Sequence, residues 1–224
     1  TENGKKSLPI GCTSAAEAIS SIEEFGDELS GNSFNLVFPV LVSSLIGNRS
    51  SSPACDAALS LINLHCSSGS GLRRQMSECV LTLLTWDRSK QFSNPSCVET
   101  LCNIYGEGTG DVSSGDLQPL LTTQGALGGK ACRVASLKAL ETISGHKKLK
   151  GNPLVESRVF VNCFSDDGMT SDAATSAYTA INEGQADAPC SKLLAIPLIS
   201  LLPHSDPSIA SAAAKALADT CAQH

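Results

Sequence analysis

Apolar helical stretches and short polar breaks alternate along this chain at an interval of about 40 residues. Three of the apolar stretches carry a proline followed by aliphatic residues: Phe34-Asn-Leu-Val-Phe-Pro39-Val-Leu-Val, Asp116-Leu-Gln-Pro119-Leu-Leu and Ser191-Lys-Leu-Leu-Ala-Ile-Pro197-Leu-Ile. Pro39, Pro119 and Pro197 are 80 and 78 residues apart, so each interval holds two units. Leu72 to Trp86 fills the first gap without a proline, and Pro153-Leu-Val opens the second.

Each stretch is followed by a second helical pattern rich in small residues. These partners are Pro53 to Cys66, Pro95 to Tyr105, Lys130 to Ser144, Thr170 to Glu183 and Pro207 to Cys221. Pro53, Pro95 and Pro207 stand where a helix begins and a missing N–H costs nothing. Ser52, Asn94 and Asp206 before them are favourable N-caps. In the last partner Ile209, Ala212, Ala213, Ala216 and Leu217 recur at three- and four-residue steps and make one apolar face. Ser67 to Gly71, Gly106 to Gly115 and Gly145 to Gly151 separate successive pairs.

The pattern predicts five helix pairs, at about 33–66, 72–106, 116–144, 153–184 and 191–222, with an extra helix over Ser14 to Leu29 covering the first pair. Val159-Phe-Val-Asn-Cys-Phe164 reads as a strand when taken alone, but it occupies a first-helix slot. No pair buries both faces alone, so stacking closes the core. The expected fold is all-α, an irregular α-solenoid. The terminal unit, Pro197-Leu-Ile-Ser-Leu-Leu with Asp206, Ile209 and Ala212 to Leu217, resembles a HEAT repeat. Gly129 to Leu140 repeats its second helix and keeps an arginine, Arg133; the other units hold the pattern loosely, so the array is HEAT- or armadillo-like.

Composition narrows the classes. The 42% hydrophobic content excludes a disordered chain. No apolar run approaches the roughly 18 residues needed to span a bilayer. Charge is uneven: residues 1–31 carry two lysines against six acids, while residues 32–224 are nearly balanced. A nearly neutral body gives little attraction for a polyanion, so direct nucleic-acid binding is not expected. The basic residues Lys147, Lys148 and Lys150, with Arg73 and Arg74, are the candidate partner contacts. The chain opens at Thr1 rather than Met, which points to a slice of a longer protein or a processed product.

Ten cysteines without C-x-x-C spacing read as reduced, buried thiols rather than as a zinc site or disulfide scaffold. Gly106-Glu-Gly-Thr-Gly110 lacks the Gly-Lys-Ser/Thr ending of a phosphate loop and reads as a connector. His65, His146, His204 and His224 are scattered. Asp166-Asp167 reads as a helix cap, not an acid–base or metal pair. Trp86 closes an apolar helix as a packing residue. No catalytic, cofactor or metal site is expected.

Phe34-Asn-Leu-Val-Phe-Pro39, followed by Leu81-Thr-Leu-Leu-Thr-Trp86 and Val98-Glu-Thr-Leu-Cys102, resembles a stretch of the general-control (Gcn-type) translational activator family. The likeness runs on through Leu117 to Leu121, Val134 to Ile143, Leu154 to Phe164 and Leu193 to Cys221, over roughly residues 32–222. That family consists of very large eukaryotic HEAT-repeat proteins. The resemblance implies a cytoplasmic, ribosome-associated scaffold that relays amino-acid starvation to an initiation-factor kinase. This segment would lie upstream of the elongation-factor-like repeats and act mainly as a spacer. The alternative is a HEAT or armadillo protein-binding adaptor outside translation, such as a transport receptor or chromosome-organising subunit.

Overall fold

The structure, a computed structural model, describes residues 59–60, 62–63, 73–86, 94–106, 112–122, 125–144, 149, 152–182 and 195–222. Among them the chain is all-helical, with eight helices and no strand. These are α1 (Arg73–Trp86), α2 (Asn94–Ile104), α3 (Ser114–Leu121), α4 (Lys130–Thr142), α5 (Pro153–Cys163), α6 (Gly168–Ile181), α7 (Ala195–Leu201) and α8 (Pro207–Ala222). The predicted helix over Ser14 to Leu29 lies outside the described residues. So does the predicted pair at 33–66, apart from Leu59, Ser60, Ile62 and Asn63, which are helical.

The helix starts follow from local chemistry. Ser113 begins α3 with a capping box: its hydroxyl accepts from the Asp116 amide at 3.2 Å, and the Asp116 carboxylate accepts from the Ser113 amide at 2.9 Å. That box starts α3 at Ser114, ahead of the predicted 116. Asn152 caps α5, accepting from the Leu154 and Val155 amides, with Pro153 in the first helical position. This start draws Val159 to Cys163 into a helix despite its strand-like composition. Asp167 caps α6 through the Thr170 amide at 3.0 Å, and Asp206 accepts from the Ser208 amide at 2.9 Å ahead of α8.

The second helices α2, α4 and α6 pack in succession, and α1 rests on α2, α3 and α4. α5 packs on α6, while α7 and α8 pack on each other and both reach α5. Two apolar clusters result. The larger runs from Leu59 to Ile181, and the smaller joins Leu127 and Val161 to Leu198, Leu201, Ile209, Ala212, Ala213 and Ala216. Phe160 packs against both. Its ring meets Phe164 edge-on at 5.1 Å and Tyr178 at 5.2 Å.

Close approach dictates one glycine. A Cβ on Gly125 would stand 2.3 Å from the Pro119 carbonyl oxygen and 2.5 Å from that of Leu120. The turn it permits lets the Ala126 amide donate to Leu120 at 2.7 Å. The Ala126 carbonyl in turn accepts from the buried Asn162 amide of α5 at 3.1 Å.

Ion pairs tie the pairs of helices together. Arg73 meets Asp116 at 3.4 Å, Lys130 meets Asp167 at 2.6 Å, Arg133 meets Asp206 at 3.6 Å and Lys215 meets Asp166 at 3.7 Å. Two of these cations, Lys130 and Arg133, sit in the first turn of α4, which has no side-chain cap. Positive charge is unfavourable at a helix N-terminus. Carboxylates from the turns ahead of α6 and α8 offset it.

Candidate functional site

The row of second helices carries an open groove with a cavity volume of about 530 Å³. Leu84 of α1, Pro95 and Val98 of α2, Ala131 and Val134 of α4, and Met169 of α6 form its apolar surface. Glu99, Lys130 and Lys138 stand at its polar margin. Met169 is 61% exposed, an unusual position for a methionine and one suited to an adaptable contact surface. Lys130 holds Asp167 at the α6 end. Together with a hydrogen bond from Thr170, this contact brings the Asp167 carboxyl down to about 2.

Glu99 also borders a second, polar hollow of about 350 Å³, lined by Leu59, Ser60, Asn63, Ser96, Thr100 and Asn103. Asn63 donates to Thr100 Oγ1 at 2.8 Å and accepts from Asn103 at 3.0 Å. Glu99 stands in the wall of both hollows, so an amide-lined hollow lies next to the apolar groove. Such a surface matches a peptide chain, which needs both backbone partners and side-chain pockets.

Of the predicted contacts, Arg73 and Arg74 differ sharply in placement. Arg73 is buried, at 6% exposure, which corrects the expectation that Arg73 and Arg74 lie together on the surface. Its Nε donates to the Ile104 carbonyl at 3.2 Å, and its Nη1 reaches Asp116. Ser77 Oγ lies 2.9 Å from Tyr105 Oη and 2.8 Å from the Arg73 carbonyl. The Tyr105 hydroxyl donates to the Asp116 carbonyl at 2.6 Å, and burial pushes this phenol up. The physical reason for the inward turn is this node, which joins the start of α1, the end of α2 and the cap of α3. Arg74 is exposed and pairs with Glu78 at 2.9 Å. Lys147, Lys148 and Lys150 lie outside the described residues.

The thiols divide by position. Cys79, Cys97 and Cys132 are buried, Cys102 and Cys163 are partly buried, and Cys221 is exposed, so burial does not extend to the last of them. Burial pushes the thiols of Cys102 and Cys132 up, and that of Cys163 to about 11. Cys132 donates to the Leu81 carbonyl at 3.4 Å and lies 3.3 Å from Thr85 Oγ1. Asp167 is a cap, as its sequence context indicates. Its neighbour Asp166 is an ion-pair partner of Lys215. His204 accepts from the Asp206 amide at 3.0 Å, whereas His65, His146 and His224 lie outside the described residues, as does the side chain of Trp86. Among the described residues no group of three His, Cys, Asp or Glu is placed to hold a metal ion, and no helix is long and apolar enough to cross a membrane.

Sequence reasoning missed the groove because its walls come from four helices spread over Leu84 to Met169. It missed the Arg73 node for a similar reason, although the Ser113-x-x-Asp116 spacing that organises one end of it was readable. Comparison of the chain with protein-family models, curated proteins and solved structures finds no match.

Proposed function

We propose that this chain is a non-catalytic helical-repeat scaffold, an irregular HEAT- or armadillo-like solenoid, that binds proteins along the face of its second helices. The observation that carries this reading is the apolar groove with an amide-lined hollow next to it, the two sharing Glu99 in their walls. Stacked helix pairs offer extended surfaces of this kind. The ordered packing of α2, α4 and α6 supplies the rigid frame that such a surface needs.

The more specific reading is a cytoplasmic, ribosome-associated activator that relays amino-acid starvation to an initiation-factor kinase. It is supported by the resemblance carried by Phe34 to Pro39, Leu81 to Trp86 and Val98 to Cys102. Sedimentation of the full-length protein with polysomes, lost when ribosomes are dissociated, is the expected result. Absence from polysomes under both starvation and ribosome-collision conditions overturns the translational reading and leaves an adaptor outside translation. Arg74, Lys147, Lys148 and Lys150 are secondary contacts, and reversing their charges should weaken partner binding without altering the helical signal.

A further inference from the structure

We propose that the polar hollow beside Glu99 is an arginine pocket, which takes the guanidinium of a partner protein's side chain. This rests on the reading of the chain as a protein-binding scaffold and names the chemistry its partner presents at one point.

Ser96, Glu99, Thr100 and Asn103 recur at three- and four-residue steps, so they share one face of α2. Across the hollow from them stand Leu59, Ser60 and Asn63. A helix face that looks toward a neighbouring helix is ordinarily apolar, because polar groups taken from water cost free energy unless they are paired. Here the pairing is made side chain to side chain. Asn63 donates to Thr100 Oγ1 at 2.8 Å and accepts from Asn103 at 3.0 Å, and Thr100 is 1% exposed. Such a network fixes the orientation of its members. The hollow that it frames, about 350 Å³, falls within the ~300–1,000 Å³ of pockets that hold small ligands.

The sign of the ligand follows from what is left unpaired. Glu99 is the one charged residue in this wall, and among the described residues its carboxylate has no ion pair or hydrogen-bond partner. The side-chain oxygen of Asn103 is open as well, since it is the amide nitrogen that engages Asn63. Lys130 and Lys138 line the apolar groove but not the hollow, so the hollow keeps its negative sign.

A guanidinium answers both open acceptors. It is always charged and carries five N–H donors in a planar fork. Two of these can hold a carboxylate while others turn to amide and hydroxyl oxygens. An ammonium carries the same charge without the fork, and it should bind more weakly.

The test titrates the isotope-labelled full chain with Nα-acetyl-arginine methylamide and follows the side-chain amide resonances of Asn63 and Asn103. Saturable shifts of both are expected. The citrulline counterpart, whose urea is neutral, should leave them in place. Glu99→Gln should raise the Kd by about fivefold or more, whereas Glu141→Gln, an exposed acid of α4 outside the hollow, should not change it. An unchanged helical signal for Glu99→Gln confirms that folding is intact. Absence of saturable shifts, equal shifts from the citrulline probe, equal affinity for the lysine counterpart, or a Kd indifferent to Glu99→Gln would each overturn the proposal. A partner that binds the full chain equally well with Glu99 or Gln at this position removes this inference alone and leaves the scaffold reading standing.

Discussion

Arg133, in the first turn of α4, reaches Asp206, the residue that precedes α8, at 3.6 Å. The contact links the start of α4 to the turn ahead of α8 and gives Asp206 two duties: it accepts the Ser208 amide and it neutralises a cation at an uncapped helix start. Loss of both in Asp206→Ala should cost about 1–2 kcal/mol, and Asp206→Asn, which keeps the cap, about half of that. Urea denaturation of the two variants separates the duties. Equal costs would mean that the cap contributes nothing, and a cost-free Asp206→Asn would mean that the ion pair contributes nothing.

The two adjacent arginines should answer charge reversal very differently. Arg73→Glu places a carboxylate beside Asp116 in a buried site and should destabilise by about 3–5 kcal/mol. Arg74→Glu removes one exposed i,i+4 pair and should stay within about 0.5 kcal/mol. Tyr105→Phe, which strips the donor from the Asp116 carbonyl, should fall between them at about 1–2 kcal/mol. Thermal unfolding of the three variants ranks them, and an Arg73 variant as tolerant as the Arg74 one would contradict the buried node.

Gly125→Ala should destabilise by about 1–3 kcal/mol, because the added methyl meets backbone carbonyls that have no side-chain freedom to yield. Gly129→Ala is the control, since a Cβ there has open space around it. Comparing their denaturation midpoints tests whether steric fit, rather than glycine as such, matters at 125.

Acid should weaken the fold through its turn carboxylates. Asp167 titrates at about 2 in the folded chain against an ordinary 3.8, chiefly through its hydrogen bonds with Lys130 and Thr170. Asp206 is also lowered, mainly by Ser208. Carboxylates depressed on folding contribute stability that is fully present above their unfolded pKa and is lost as pH falls through the folded value. Stability should therefore fall as pH drops below 3.8 and level off below about 2, with the steepest slope between the two values. Asp167→Asn should make that slope shallower.

Native alkylation should distinguish the thiols. Only a thiolate attacks, and only where reagent reaches it. Cys221 is exposed, so it should react first among the described cysteines. Cys79, Cys97 and Cys132 should stay unmodified until the chain unfolds. Early loss of Cys132 would contradict its place between Leu81 and Thr85.

Much of the helical order was legible because it is written locally. Asp206 before Pro207 and the alanine-rich stripe from Ile209 onward are short-range signals, and the helix over Pro207–Ala222 follows them. Slot position correctly overrode the strand-like look of Val159 to Phe164, since an Asn-Pro start outweighs β-branching over one turn. The site was not legible for the opposite reason. Whether Arg73 faces water depends on Ile104, Tyr105 and Asp116, and nothing in the sequence beside it records their arrival. The groove is harder still, being a space left among helices rather than a property of any one.

The ring of Phe160, shared by both apolar clusters, has a consequence for how the chain comes apart. The smaller cluster relies on three alanines and a few aliphatic side chains, so α7 and α8 hold less apolar contact than the rest. They form a natural sub-global opening unit, able to separate while Leu59 to Ile181 stays closed. Amide hydrogens of α8 would then exchange well before those of α4, with the aromatic stack at Phe160 setting how far the opening spreads inward.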